Sequence, residues 1–513
     1  MMIKKSIGVT ESEHRLVKLG EKVFMGLWSY PNPMIKTSSG FQELCDLLVV
    51  CGDNVLVFSD KKIRFNEAKG WFVGWKKWEK HAILESIAQL HHAENILRKN
   101  PDMIWLNPKQ RLPVTIPDNK QIKIHLICIA NGATDACKNF FGAGCIGSLR
   151  FSNLEEETNV DYKKFSSMPQ DTQEEYLSNN LFTIRDYNKT KTFIHVFDDH
   201  SFPFILKELD TLTDFVKYLK EKENFIRHAH IAYNSEEDLL YKYIHNFDKE
   251  HKCHTFLSQE EKGNETAEYI ISKSDWEKFR KSSRYMSRIM ANRPSYFWDQ
   301  LVEESAICAL DGSMKTVYKS KQGNEDAVLR YMALEDRLSR RVLSKAILNS
   351  IKKCGPDQIS LTVFLSNATA DLLYLFLQVD TVRATSYTEY ISRRRDLLSV
   401  YINFVKAKCT AENLNINKII GIAIEPPKYR KVTSSDLVLA HFKGWPQKEQ
   451  DLWNKERIKQ GVLIAPFCQW FQNMEAEWPD GIRTIKICVN DKCPCGSGKK
   501  YKKCCGSVLN ANR

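Results

Sequence analysis

Apolar residues recur at helical spacing near the start of the chain. Leu16, Leu19, Val23 and Leu27 stand three or four residues apart among polar neighbours, which predicts a helix over residues 12–28. Tyr30-Pro31-Asn32-Pro33 stops it. Two β-rich runs follow, residues 41–51 and 54–58, joined at Gly52-Asp53-Asn54, a sequence suited to a tight hairpin. Residues 75–97 return to helical period, with Ile83, Ile87, Leu90 and Ala93 on one face, and residues 122–130 form an apolar strand. Helix, two strands, helix and strand make an α/β layer.

The pattern changes beyond residue 150. Residues 153–180 are acidic and polar and read as a linker or surface segment. Residues 181–197 predict two strands across the turn Asn188-Lys189-Thr190, and residues 212–222 and 235–244 predict capped helices. Residues 246–263 are charged and rich in histidine, a second boundary. The C-terminal half predicts a helix over 325–353 stopped by Gly355-Pro356, a strand at 359–365, a helix at 387–408 and a strand at 418–424 closed by Pro426-Pro427. The fold class is therefore α/β with α+β character, in several domains: 1–150, 151–255, 256–487 and a tail at 488–513.

The chain has 513 residues, 11% of them aromatic, which excludes wholesale disorder. Apolar runs such as residues 47–51 and 55–58 fall far short of the roughly 18 residues a membrane helix needs. The first 15 residues carry charge but no apolar signal core. A cytoplasmic bacterial protein is expected. The formal net charge of +12 permits contact with DNA or RNA without requiring it. Most of the 15 cysteines are scattered, several within apolar runs, as expected of reduced core residues.

The last cysteines are different. Cys493 and Cys495 form a C-x-C pair, and eight residues later Cys504 and Cys505 are adjacent. Four thiolates match the coordination of structural zinc, Pro494 stiffens the first pair, and Gly496 and Gly498 let the backbone turn back. So short a segment has no core, and metal binding would supply its folding free energy. CPCGSGKKYKKCCG resembles the SEC-C motif, the zinc-binding element at the C-terminus of the bacterial preprotein translocase ATPase. The resemblance implies Zn2+ held by these four cysteines. No G-x-x-x-x-G-K-[ST] phosphate loop accompanies it. From residue 491 onward six basic residues face one acidic one, with Tyr501 among them. This composition suits contact with RNA, ribosome or an acidic protein face, and equally suits solubility and charge balance at the metal.

The N-terminal hairpin carries a second candidate site. Glu43 and Asp46 stand in an apolar run, and Asp60, Lys61 and Lys62 close the next strand. Carboxylates on adjacent strands with a lysine could hold a divalent metal at a scissile phosphate. The arrangement resembles the PD-(D/E)xK, restriction-endonuclease-like fold, especially its nuclease-related branch. That resemblance implies a nuclease using Mg2+ or Mn2+, with Glu43, Asp46, Asp60 and Lys61 or Lys62 at the site. The spacing from Asp46 to Lys61 suits that branch, but Glu43-x-x-Asp46 is one residue longer than its E-x-D. Ser59 occupies the carboxylate position in the register ending at Lys61. A one-residue shift produces Asp60-x-Lys62, at the cost of a bulge or longer loop. A carboxylate from the first helix, such as Glu21, could join the set. The same charges also suit a capped edge strand and a solvated strand end.

Other signals are weaker. Gly142, Gly144 and Gly147 spell G-x-G-x-x-G but do not immediately follow a strand, so a packed bend is expected rather than a nucleotide loop. His251, Cys253 and His254 lack a second ligand pair. Arg340-Arg341 and Arg393-Arg394-Arg395 read as solvated helix faces or phosphate contacts, and Trp71, Trp75 and Trp78 beside Lys76, Lys77 and Lys80 as core or base-stacking residues. Two functions emerge: a metal-dependent nuclease acting on DNA or RNA in defence against foreign nucleic acid, or a non-catalytic adaptor whose tail docks on ribosome, chaperone, another protein or nucleic acid.

Overall fold

In the computed structural model, helix α1 (Glu11–Phe24) starts where Thr10 Oγ1 accepts from the Glu13 backbone N–H. Its buried stripe is Leu16, Val17, Gly20, Val23 and Phe24. The helix ends earlier than its periodicity predicts, because Met25 turns to a positive φ of 63° and a single tight turn leads into β1 (Ser29–Pro31). The structure describes residues 5–142, 144–154, 160–257, 261, 268–311, 324–353, 358–379, 385–424, 435–442, 444–465, 476–479, 490 and 500. The four tail cysteines and Pro426-Pro427 lie outside them.

The chain divides into two units, Lys4–Lys278 and Phe279–Arg513 with Met1–Ile3. In the first, β2 (Met34–Thr37) and β3 (Gly40–Glu43) form a hairpin. Next come β4 (Leu47–Cys51), β5 (Asn54–Lys62), the helical run α2 (Trp71–Glu79) and α3 (Glu85–Lys99), strands β6 (Ile104–Asn107) and β7 (Gln110–Arg111), and β8 (Lys123–Asn131). A π-helical turn over Lys80–Leu84 joins α2 to α3, so the predicted second helix is one continuous helical run that also begins earlier. Helix α4 (Thr134–Phe141), strand β9 (Arg150–Ser152), helices α5 (Tyr162–Ser166) and α6 (Gln170–Asn180), and strands β10 (Thr183–Ile184) and β11 (Ile194–Phe197) follow. Then come α7 (Ser201–Glu208), α8 (Leu212–His228), β12 (His230–Tyr233), α9 (Glu236–His245), β13 (Phe247–Asp248), β14 (Cys253–His254) and β15 (Glu268–Ile271).

The central sheet has the order β1-β4-β5-β8-β11. Strands β4 and β5 are antiparallel, with Leu47 opposite Phe58 and Cys51 opposite Asn54, as the hairpin pattern predicts. Strands β5, β8 and β11 are parallel. Parallel strands buried on both faces read as continuous apolar runs, and β8 is buried from Ile124 to Asn131.

Two segments of this unit are built more specifically than their sequence implies. Residues 181–197 hold the two expected strands, which do not pair with each other: β10 pairs with β9 while β11 joins β8 in the central sheet. Residues 153–180 are not simply a linker, because Val160 and Phe165 pack on Phe72, with the Phe72 and Phe165 rings stacked at 4.3 Å.

The exit from β8 is tight. Gly132 has φ +100°, and a Cβ there would run into the Ile63 carbonyl oxygen. Gly132→Ala is expected to lower stability by about 2 kcal/mol, combining strain with a backbone clash. An unchanged urea midpoint would show that the crossing relaxes freely.

The second unit holds a sheet of order β16 (Ile359–Leu365), β17 (Leu372–Val379), β18 (Lys418–Ile424) and β19 (Ser435–His441). Its core joins Leu373, Leu375 and Leu377 to Leu398, Ile402 and Val405 of the helix Tyr387–Ala411. The predicted helix over 325–353 is two helices, Asn324–Ala333 and Arg337–Lys353. The break comes where Asp336 caps the second by accepting from the Ser339 backbone N–H.

Candidate functional site

The chain changes sheets between Glu43 and Leu47. Glu43 ends β3, and Leu47 begins β4 in the central sheet. The run over 41–51 is therefore not one strand, and strict alternation no longer separates Glu43 from Asp46. Their carboxyls share a hydrogen bond at the switch. Asp46 is 5% exposed, and its Oδ2 accepts from the Asp60 backbone N–H at 2.6 Å.

Strand β5 continues through Lys62, so alternation applies at its end. Ser59 faces α3, where its Oγ donates to Gln89 Oε1 at 3.0 Å. Asp60 faces the other way and accepts from Asn131 Nδ2 of β8. Lys62 reaches Glu11 at 3.1 Å, an exposed pair. The β4–β5 ladder is in regular register, without the bulge that the shifted Asp60-x-Lys62 reading calls for.

Burial governs the electrostatics. Desolvation, the shared hydrogen bond with Asp46 and the charges of Asp46 and Glu13 push the Glu43 carboxyl up to about 7, against the pull of Lys61. Asp60 also rises to about 7, first by desolvation and then by the Asp46 charge, with hydrogen bonds from Ser12 and Asn131 opposing. Asp46 is raised by burial, while the Asp60 N–H and Lys61 pull it back. Glu13 is held low: burial opposes its charge, but donors from Val9, Asn32 and Thr10 prevail. The result is crowded negative charge with Lys61 as a nearby cation.

Of the residues predicted from sequence, Glu43, Asp46, Asp60 and Lys61 interact here, and Lys62 is turned toward Glu11. The first-helix carboxylate is Glu13. Glu21 is exposed and acts on Lys5. Thr10-x-x-Glu13 is legible as a helix capping box, which concealed the second use of Glu13. Asn131 and Gln89 carried no sequence signal.

Several other motifs resolve into structure. Trp75 and Trp78 are buried and stacked at 5.4 Å, and Trp78 Nε1 donates to Ile63 O, so they are core. Arg340 and Arg341 are interior and not a solvated face: Arg340 binds Asp299 and the carbonyls of Ala333 and Glu335, and Arg341 binds Asn292. Arg394 and Arg395 both bind Asp436, Arg394 from a buried position. His251 binds Asp248 at the β13–β14 turn.

The donor set of Glu43, Asp46 and Asp60 is all oxygen, which suits Mg2+ or Mn2+. Among the described residues, no three histidine, cysteine, aspartate or glutamate side chains converge at metal-ligand distance. A cation here would take its remaining ligands from water or substrate. Nor is any described helix long and apolar enough to cross a membrane.

The SEC-C motif family model matches residues 490–507. The chain is 70% identical over 27 residues to protein translocase subunit SecA of Caldicellulosiruptor saccharolyticus, 5% of this chain and 3% of that one. It is 36% identical over 69 residues to the SecA subunit of Syntrophobacter fumaroxidans, 14% of this chain and 8% of the relative. A UPF0225 protein of Vibrio cholerae is 41% identical over 66 residues, 13% of this chain and 40% of its own length. The chain thus spans only a small part of the translocase subunits it matches. No solved structure matches it. The matched SEC-C residues lie far in sequence from the carboxylate site.

Proposed function

We propose that the first unit is a metal-dependent phosphodiesterase acting on DNA or RNA, and that the SEC-C tail is a zinc-stabilised docking element. The observation that carries the first part is the pair Glu43 and Asp46 at the sheet switch, on which the Lys61 charge acts, with Asp60 bound to Asp46 through its backbone N–H. Such crowding calls for a counter-ion, and a divalent cation is the natural one. When bound it would polarise a phosphate and acidify a water. Asp46, with Glu43, would hold it from the sheet switch. Asp60, its carboxyl held by Asn131, would orient Asp46 through its backbone N–H. Lys61 would offset charge developing on the phosphate.

Ser59 at the position of a metal carboxylate, already bonded to Gln89, favours the second reading: a degenerate nuclease-like unit serving as an adaptor.

Thermal stability separates the two readings without a substrate. Asp60 and Glu43 titrate near 7 when folded, against roughly 4 when unfolded. The folded state binds the extra protons, so this site's contribution to stability falls as pH rises from about 4 to about 7. Mg2+ is therefore expected to raise Tm at about pH 8 and much less at about pH 5, where the carboxyls hold protons. Magnesium avoids thiolates, so the tail does not contribute. Asp46→Asn should remove the effect. A wild-type Tm indifferent to Mg2+ at the higher pH favours the adaptor.

For the tail, freshly prepared protein should carry about one zinc per chain, with sulfurs near 2.3 Å from it. Cys493→Ser with Cys495→Ser should release the metal and leave the folding of the two main units unchanged. Metal analysis finding no zinc would overturn the assignment.

A further inference from the structure

Helix α4 and the glycine-rich segment after it bring two cysteines together. Cys137, on α4, is 1% exposed, and Cys145 is half-buried; their sulfurs are 3.7 Å apart. The segment folds back because Gly142, Gly144 and Gly147 all take positive φ. A Cβ at Gly147 would meet Thr134 O and Cγ2 at 2.7 Å, so the chain is pressed against the helix that carries Cys137. The Gly147 backbone N–H donates to Cys145 Sγ at 3.4 Å, and Cys137 Sγ donates to Ser148 O at 3.7 Å.

Two cations approach the pair, and the Asp198 carboxylate acts on Cys137. The Arg150 guanidinium lies over the Phe141 ring at 4.9 Å and interacts with both thiols. Lys273 Nζ donates to Gly144 O at 2.8 Å. Positive charge with partial exposure is what makes a thiol reactive, and a second thiol in contact is what resolves its oxidised form. Cys51 and Cys128, by contrast, are fully buried in the central sheet, and Cys45 is fully buried just before β4.

We propose that Cys137 and Cys145 form a reversible disulfide when the protein meets a peroxide. The Cys145 thiolate attacks one peroxide oxygen, giving a sulfenic acid and releasing hydroxide. The Cys137 sulfur then attacks the Cys145 sulfur and displaces its hydroxyl, which leaves as water with the Cys137 proton. Two thiols lose two electrons in all, and hydrogen peroxide is reduced to two waters. The sulfurs must close to about 2.05 Å, a short movement on a glycine-rich segment. The bond would pin that segment to α4, the helix that follows Gly132 and the Asp60 ligand Asn131. The proposal does not depend on the first unit being catalytic.

The test uses the full chain, treated with hydrogen peroxide or with reductant, then unfolded in urea, alkylated, and digested with trypsin. Lys138 lies between the two cysteines, so the bond keeps two peptides joined after cleavage. The expected result is a reductant-sensitive linked species, with Cys137 and Cys145 losing alkylation in equal proportion. Cys137→Ser should leave Cys145 as a sulfenic acid captured by dimedone. Cys145→Ser, at a half-buried position that tolerates the change, should leave Cys137 fully alkylated after peroxide. Full alkylation of both wild-type thiols after treatment, or Cys145 joined to a different cysteine, would overturn the proposal.

Discussion

Asp46→Ala is expected to lower divalent-metal-dependent cleavage of nucleic acid by on the order of 10³-fold, because it removes the carboxylate at the centre of the proposed site. Asp46 is the residue through which the others are connected. It shares a hydrogen bond with Glu43, accepts from the Asp60 backbone N–H, and interacts with Lys61. Folding should survive, because the substitution loses two hydrogen bonds but relieves buried negative charge. Lys61→Ala should slow cleavage by about 10²–10³-fold, the usual loss for one partner of transition-state charge. Lys62→Ala is the control: its pair with Glu11 is exposed at both ends, and such pairs contribute little. The assay uses linear and circular duplex, single-stranded DNA and RNA, with and without Mg2+ or Mn2+. Wild type that cuts none of them leaves the adaptor reading, and equal cutting by Asp46→Ala makes the cluster structural.

The largest stability effect is expected at Lys222. This lysine is 1% exposed, and its Nζ donates to both Glu236 oxygens at 2.6 and 2.7 Å. The hydroxyls of Tyr218 and Tyr233 donate to the same carboxylate, and the ammonium lies 4.7 Å from the Phe197 ring. Burial pulls the Lys222 pKa down, against the attraction of Glu236. Lys222→Met leaves a carboxylate buried without its cation and should cost about 3–5 kcal/mol. The double variant Lys222→Met with Glu236→Gln should recover much of that loss, since the uncompensated charge is gone. Urea denaturation of the four proteins completes the cycle. If the double variant is as unstable as the single one, the pair contributes through packing and not through charge.

Lys222 also marks the boundary between local and tertiary information. Its inward direction is legible: Phe215, Tyr218, Leu219, Phe225 and Ile226 define the buried stripe of α8, and Lys222 lies on it at helical spacing. Its partner is not legible, because Glu236 comes from the next helix and only the packing of α8 against α9 joins them. Arg340 and Arg394 repeat the lesson. Each belongs to a run of basic residues that reads as a solvated face, yet each is itself buried and pairs with a carboxylate supplied by a distant segment.

The candidate site divides in the same way. The chain itself determined β16 and β18 end to end, the β4–β5 pairing around Gly52, and the cysteine spacing of the SEC-C motif. These depend on contacts between near neighbours or on covalent spacing, and so they repeat along the sequence as periodicity or motif. Tertiary structure decided that β3 leaves for another sheet, so that Glu43 meets Asp46, and that Glu13 rather than Glu21 faces them. It also sent β10 and β11 to different sheets. The raised carboxyls arise from desolvation by residues far apart in the chain. Strand partners and burial depend on which distant surfaces fit together, and a one-dimensional pattern of apolar and polar positions does not encode that choice.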